Sequence, residues 1–157
     1  IYPNVHFDEL DFKTWRRTFE INLDSMFLSA KVFVPMMRAN GWGRIVNVSS
    51  TSIVTNAVGV SHYMASKMGI IGFTRGLAND LGKDFITVNS LAPALTATPG
   101  TSHIPDVVRD NIVNLQAFKR MAVPNDIVGP MLFLTSEDAQ FVTGQVLAVD
   151  GGMMKTC

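Results

Sequence analysis

Ser61-His62-Tyr63-Met64-Ala65-Ser66-Lys67-Met68-Gly69-Ile70-Ile71-Gly72-Phe73-Thr74-Arg75-Gly76-Leu77-Ala78-Asn79-Asp80-Leu81-Gly82 is the stretch on which the reading of this chain turns. Its pattern predicts one long helix. Ala65, Gly69, Gly72 and Gly76 recur at intervals of four, three and four residues and so share one narrow stripe. Each glycine costs a helix about 1 kcal/mol relative to alanine. A chain accepts that where another backbone approaches closely, so the stripe is expected to pack this helix against a sheet edge. Tyr63 and Lys67 stand at i and i+4, one above the other on the same side. An ammonium beside a phenol stabilises the phenolate, lowering the tyrosine pKa from about 10 toward working pH and making a usable proton donor or acceptor. The same two residues also fit a plain amphipathic helix with a snorkelling lysine.

Upstream, Ile1–Glu9 reads as a loop, with Asp8 or Asp11 available to cap the helix that follows. Phe12–Asn40 is helical in pattern, bent or in two pieces. Trp15, Phe19, Met26, Ala30, Phe33 and Met37 fall on one apolar stripe, and Asn22 falls on it between Phe19 and Met26. A buried amide must be hydrogen-bonded or it costs about 1–3 kcal/mol. Pro35 is a second place where the helix is expected to bend. Asn40-Gly41-Trp42-Gly43 ends the helix, and Arg44–Val48 has the length of a buried strand. Ser49–Ser61 is a polar loop containing Ser49, Ser50, Thr51 and Ser52 in a row.

Downstream of the glycine-striped helix, Asp84–Leu91 contains a second strand, F-I-T-V-N-S-L. A segment with Pro93, Pro99, Gly100 and Pro105 leads to a short helix over Asp106–Leu115. Pro124–Ser136 reads as another helix, with Pro124 in its first turn and Asp126 near its positive end. Gln145–Val149 is a third strand, closed by Asp150-Gly151-Gly152, which reads as a tight turn. Alternating helices and strands predict an α/β fold with a parallel sheet, and right-handed crossovers place helices on both faces, a doubly wound arrangement. At 157 residues with no dividing linker, 1–157 is one domain.

Composition excludes several function classes. Thirteen Lys+Arg balance thirteen Asp+Glu, which argues against a nucleic-acid or anionic-membrane surface. Cys157 is the only cysteine, so neither a disulfide framework nor a zinc knuckle is expected and a cytoplasmic setting fits. No apolar run approaches the ~20 residues of a membrane span, and no signal peptide pattern is present. His6, His62 and His103 are scattered, so no metal site is expected. Ser50 lies thirteen residues before Tyr63, at the end of the strand I-V-N-V-S. A hydroxyl at the carboxyl edge of a parallel strand sits where open α/β sheets bind ligands. Ser49 is its neighbour; alternation lets only one of the two face a given side, and the strand alone does not say which.

Taken together, G-R-I-V-N-V-S-S, Tyr63-x-x-x-Lys67, V-N-S-L-A-P and T-G-Q-V-L-A-V-D-G-G resemble the short-chain dehydrogenase/reductase family, in order and interval, over essentially the whole chain. The resemblance implies a Rossmann-like fold, NAD or NADP as cofactor, and reversible hydride transfer to or from a small-molecule alcohol or ketone. It implies Tyr63 as catalytic acid/base, Lys67 lowering its pKa and holding the nicotinamide ribose, and Ser50 bonding the substrate oxygen. Asn22, in F-E-I-N-L, matches the family's proton-relay asparagine; the plainer alternative is a polar residue stabilising a helix bend. Pro93-Ala94-Leu95-Thr96-Ala97-Thr98 matches the stretch that grips the nicotinamide carboxamide, with Thr98 as the contact and Thr96 contributing backbone. Ala94 stands where that family has glycine, and a positive φ there would strain it. Ser52, Ala94, Leu95 and Phe118 are expected in the substrate pocket. The apolar residues of Pro99–Met121 either line that pocket or simply pack a lid onto the core. A homotetramer is also implied.

Further matches, among them F-D-E-L-x-F, W-x-x-T-F-E-I-N and N-G-W-G-R-I, resemble secondary-alcohol dehydrogenases of the 1-phenylethanol type and imply aryl ketones. The alternatives are an enoyl or 3-oxoacyl reductase, and a non-catalytic fragment or oligomerisation piece. A Ser50/Lys67 hydrolase is disfavoured because no G-x-S-x-G elbow is present and Tyr63 would have no task. The family's T-G-x-x-x-G-x-G phosphate turn and the residue selecting NAD over NADP are not in this sequence. By the family's usual length roughly 90 residues would precede Ile1, so the resemblance implies that 1–157 is the C-terminal portion of a single Rossmann-fold domain, without its N-terminal βαβ units. The chain alone is therefore expected to be inactive and to bind dinucleotide weakly or not at all.

Overall fold

Ile86–Pro93, here β2, is the strand against which the other elements are laid. The computed structural model describes residues 4–55 and 57–155, so Ile1–Pro3 of the expected leading loop and Cys157 lie outside the described residues. β2 is buried at every position before Pro93. It runs between β1 (Gly43–Val48) and β3 (Val146–Val149) in a three-stranded parallel sheet of order β1-β2-β3. The register runs from Gly43↔Ile86 to Val48↔Leu91 on one side and from Ser90↔Val146 to Pro93↔Val149 on the other. The carboxyl ends of the strands therefore share one edge. The second strand was expected to include Phe85, but that residue is 81 % exposed with φ 57°, closing a 3-10 turn over Gly82–Asp84.

The long helical pattern before β1 resolves into α1 (Phe12–Phe19), a π-helical turn over Glu20–Asp24, and α2 (Ser25–Asn40). Asp11, not Asp8, is the cap: its Oδ1 accepts from the Thr14 N–H at 2.7 Å. The break in regular helix falls at Asn22, and α2 runs on through Pro35. A π-turn adds a residue to the helix and so advances the phase of everything after it. The buried face accordingly passes through Thr18, Asn22, Ala30 and Val34, and Phe33, expected on that face, is 53 % exposed. Gly41, at φ 63°, ends α2 in the left-handed conformation.

α3 (Ser61–Leu81) returns the chain to the sheet. Ala30 and Val34 of α2, Ala78 and Leu81 of α3, and Ile86 and Val88 of β2 form the core on one face. Asn47 Nδ2 in β1 donates to Thr74 Oγ1 of α3 at 3.0 Å, satisfying two buried polar groups. Alternation turns Asn89 to the other face. There its amide donates to the Val142 carbonyl and its Oδ1 accepts from the Gln145 N–H, which fixes the path into β3. After α4 (Asp106–Leu115), α5 (Pro124–Thr135) lies against all three strands. This is the doubly wound, Rossmann-like arrangement the alternation predicts. No helix among the described residues is long and apolar enough to cross a membrane.

The glycine stripe of α3 does not pack on the sheet. A Cβ at Gly69 would lie 3.0 Å from Leu23 Cδ2, in the π-turn, whereas one at Gly72 or Gly76 would meet nothing within 4 Å. The sheet-facing side of α3 is instead Ile70, Ile71, Thr74, Ala78 and Leu81.

Candidate active site

The carboxyl end of β1 meets the first turns of α3. Ser49 is buried, and its Oγ donates to the Lys67 main-chain carbonyl at 2.9 Å. Lys67 Nζ donates to the Val48 carbonyl at 2.9 Å. The end of the strand thus holds the lysine at both its backbone and its ammonium. Ser50 faces the other way. It sits in extended conformation (φ −162°) at the head of a 3-10 turn over Thr51–Val54, where its Oγ accepts from the Ser52 N–H at 3.1 Å, and it is hydrogen-bonded to the Tyr63 side chain. The ambiguity between the two serines is thereby resolved: Ser49 ties strand to helix, and Ser50 joins the tyrosine.

Lys67 Nζ lies 5.6 Å from the centroid of the Tyr63 ring. Burial pushes the Tyr63 phenol above its ordinary 10.0, and the Ser50 hydrogen bond pulls against that shift. Burial likewise pushes the Lys67 ammonium below its ordinary 10.5. The tyrosine shift is opposite to the sequence expectation that Lys67 lowers it. The reason is that the half-buried phenol loses water while the ammonium is turned onto the Val48 carbonyl. In this arrangement Tyr63 is held protonated at neutral pH, as a proton donor must be.

Asn22 lies in the π-turn, 8 % exposed, and its Nδ2 donates to Ser66 Oγ at 2.8 Å. Ser66 lies between Tyr63 and Lys67 in sequence, so Asn22 is joined to the turn of helix that carries both. Ser66 is not among the site residues expected from sequence; its only signal there is a polar side chain among small residues.

The stretch after β2 is positioned by β3 and by its own hydroxyls. The Ala94 N–H donates to the Val149 carbonyl at 3.0 Å, continuing the ladder. Phe85 is the only non-glycine with positive φ among the described residues, so Ala94 carries no such strain. The Pro93 carbonyl accepts from Thr51 Oγ1 at 3.2 Å, which brings this stretch to the turn that begins after Ser50. Leu95 is half-buried beside it. Thr101, also absent from the expected site residues, organises the backbone from Thr96 to Thr98. Its Oγ1 donates to the Thr96 carbonyl at 2.8 Å and accepts from the Thr98 N–H at 3.0 Å. The Thr96 hydroxyl donates to the Ala94 carbonyl at 3.0 Å.

Ser52 adjoins Ser50, and its Oγ is buried without a hydrogen-bond partner among the described residues. Phe118 is elsewhere. It is 67 % exposed, its N–H donates to the Gly151 carbonyl at 2.9 Å, and it lines a cavity of about 640 Å³ with Gln116, Arg120 and Val146–Gly152. Ser50, Tyr63 and Lys67 do not line that cavity. The expected grouping of Phe118 with Ser52, Ala94 and Leu95 is thus not what the fold makes, because the D-G-G turn draws the 116–118 segment to itself.

A nicotinamide dinucleotide fits the groups on this edge. Lys67 is 9 % exposed and its ammonium has one hydrogen-bond acceptor among the described residues, leaving two N–H donors for ligand hydroxyls. A buried cation with spare donors at the carboxyl end of a parallel sheet suits a ribose diol. Pro93 ends β2 on the same edge, and Thr96 and Thr98 follow it.

Comparison with known proteins agrees with this geometry. Residues 2–154 match the family model described as enoyl-(acyl carrier protein) reductase. The acetoacetyl-CoA reductase of Acinetobacter sp. (strain RA3849) is 35 % identical over 154 residues, 98 % of this chain and 62 % of the relative. The (2S)-[(R)-hydroxy(phenyl)methyl]succinyl-CoA dehydrogenase subunit BbsD of Thauera aromatica is 39 % identical over 138 residues, 88 % of this chain and 55 % of the relative. Among solved structures, one assigned as an NAD(P)-dependent gluconate 5-dehydrogenase of Beutenbergia cavernae, holding NADP at low occupancy, superposes with a TM-score of 0.92 at 36 % identity. It matches 98 % of this chain and 62 % of its own. The chain therefore spans less than two thirds of the length of each of these three proteins. With the match covering residues 2–154 and the parallel sheet, Ser50, Tyr63 and Lys67 in place, the chain belongs to the short-chain dehydrogenase/reductase family.

Proposed function

We propose that this protein is an oxidoreductase acting between NAD(P)(H) and a secondary alcohol or ketone. The observation that carries the reading is the Ser50–Tyr63 hydrogen bond beside a buried Lys67. When bound, the nicotinamide supplies hydride to the carbonyl carbon or takes it from the carbinol carbon. Ser50 and Tyr63 hold the substrate oxygen between two hydroxyls. In reduction Tyr63 gives its proton to that oxygen as negative charge develops there, and in oxidation it takes the proton back. Lys67 binds ribose hydroxyls with the N–H donors that the Val48 carbonyl leaves, and Ser50, whose hydrogen bond lowers the phenol's pKa, stabilises the phenolate left after transfer. Asn22 lies on the far side of this turn and is proposed to take part in returning the proton.

For the substrate, the reading favours a ketone flanked by a bulky group. One relative is named for a hydroxy(phenyl)methyl substrate and another for acetoacetyl-CoA. Both substrates are coenzyme A thioesters, which favours a 3-oxoacyl-type substrate; aryl ketones rest on the sequence motifs alone. Initial rates of the complete enzyme with 1-phenylethanone-type ketones and with 3-oxoacyl thioesters, followed at the nicotinamide absorbance with NADH and with NADPH, separate these and select the cofactor. Turnover of neither class would overturn the proposal.

A homotetramer is proposed for the assembly. Phe27, Leu28, Val32 and Met36 of α2 and Met68 of α3 are exposed apolar residues, and Gly72 and Gly76 leave the backbone of α3 open to a neighbouring helix. Mass determination in solution tests it.

A further inference from the structure

Ser66 is fully buried between the two halves of the candidate site. Its Oγ donates to the Tyr63 carbonyl at 2.7 Å and accepts from Asn22 Nδ2 at 2.8 Å. One hydroxyl thus serves as donor to the tyrosine's own peptide unit and as acceptor from the π-turn. Hydrogen bonds in such a chain polarise one another, so the Asn22 amide strengthens the bond to Tyr63. A serine bonded back to its own helix can bend it, and here that bond is made to the turn that carries Tyr63. The second contact between the same two segments is steric. Leu23 Cδ2 would lie 3.0 Å from a Cβ at Gly69, so the π-turn reaches the backbone of α3 one turn beyond Ser66. A π-turn is a rare interruption that commonly marks a functional site. This one presents one polar and one apolar side chain to a single stretch of α3. Ser49 and Val48 fix Lys67 from the β1 side. The tyrosine's own backbone is tied, in turn, through Ser66.

We propose that Ser66 is a positioning residue for the reaction: by linking the Asn22 π-turn to the carbonyl of Tyr63, it sets where the phenol stands relative to Ser50 and Lys67. This rests on the reading of Tyr63 as the acid/base. Ser66 is fully buried with its hydroxyl engaged by Asn22 and Tyr63, so its removal is expected to act on the chemical step rather than on binding.

Three variants of the complete enzyme test it. Ser66→Ala deletes the hydroxyl, Ser66→Cys keeps the volume with a poor hydrogen-bonding group, and Ser66→Thr keeps the hydroxyl, which in a helix can bond the carbonyl three or four residues back. The expected result is a kcat reduced about tenfold or more in Ser66→Ala and Ser66→Cys, with KM within about twofold and Ser66→Thr retaining most of kcat. Amide hydrogen exchange supplies a readout independent of turnover. Amides of 20–24 and 63–67 should exchange about tenfold faster in Ser66→Cys, with those of β2 unchanged. A kcat within about twofold of the parent in Ser66→Cys, or exchange that quickens evenly over the whole molecule, overturns the proposal. If the parent itself shows no hydride transfer, the functional reading has failed, and the exchange pattern alone decides whether Ser66 couples the two segments.

Discussion

Ser49 Oγ donates to the main-chain carbonyl of Lys67 at 2.9 Å, joining the carboxyl end of β1 to the turn of α3 that carries the lysine. The bond is buried and the carbonyl belongs to a helix, so the serine is a strut between two elements and not a chemical group. Ser49→Ala is expected to lower stability by about 1 kcal/mol, the usual net worth of such a bond. Denaturant titration reads this directly, and an unchanged midpoint would show that the strut is dispensable.

The Ser50 hydrogen bond lowers the Tyr63 pKa against the larger upward push of burial. Ketone reduction needs the phenol protonated, so its rate falls as pH rises through the Tyr63 pKa. Ser50→Ala removes the downward pull, and the alkaline limb of the reduction profile should move to higher pH while the rate itself drops. A limb that moves to lower pH contradicts the assignment.

Glycines of one stripe should respond differently to alanine. Gly72 is exposed and a Cβ there meets nothing, so Gly72→Ala should stabilise the subunit by about 1 kcal/mol through helix propensity. At Gly69 the new Cβ meets Leu23 Cδ2 at 3.0 Å, and that side chain must yield. Gly69→Ala should therefore gain less than Gly72→Ala or lose stability. Equal gains in thermal unfolding would mean that the π-turn does not press on α3.

Asp126 is held at a pKa of about 2, below its ordinary 3.8, by paired bonds from Arg120 and by the Val123 N–H at the head of α5. A carboxylate with a depressed folded-state pKa stabilises the fold above its unfolded value, and that stability is lost as pH falls from 3.8 toward about 2. In Asp126→Asn this part of the acid dependence should vanish, leaving a shallower fall of stability over that window. Identical acid-unfolding curves would contradict the pairing. The pair is partly exposed to solvent, so the effect at neutral pH and high salt should be small.

Much of the fold and site is legible in the sequence. The i, i+4 spacing of Tyr63 and Lys67, the short strand ahead of Ser50 and the alternating order of elements all come from local chemistry, and local chemistry is what a sequence carries. The choice between Ser49 and Ser50 is not legible, because it depends on how β1 is rotated against α3. The π-turn is not legible either. Its extra residue changes nothing in the order of side chains but advances the helical phase, and so Val34 is buried where Phe33 was expected. Phe118 falls outside its expected place because the Gly151 carbonyl that captures it is distant in sequence. The direction of the Tyr63 shift differs from expectation because spacing reports the neighbour's charge and not the loss of water.

The measurement that tests the account most directly is turnover and cofactor binding by a Tyr63→Phe variant of the complete enzyme beside its parent. The substitution removes one oxygen and leaves the ring in place. The account predicts that kcat falls by about a hundredfold or more, the usual contribution of a positioned acid/base, while the dissociation constant for the dinucleotide stays within about threefold, since Lys67 still holds it. Turnover unchanged in Tyr63→Phe would contradict it.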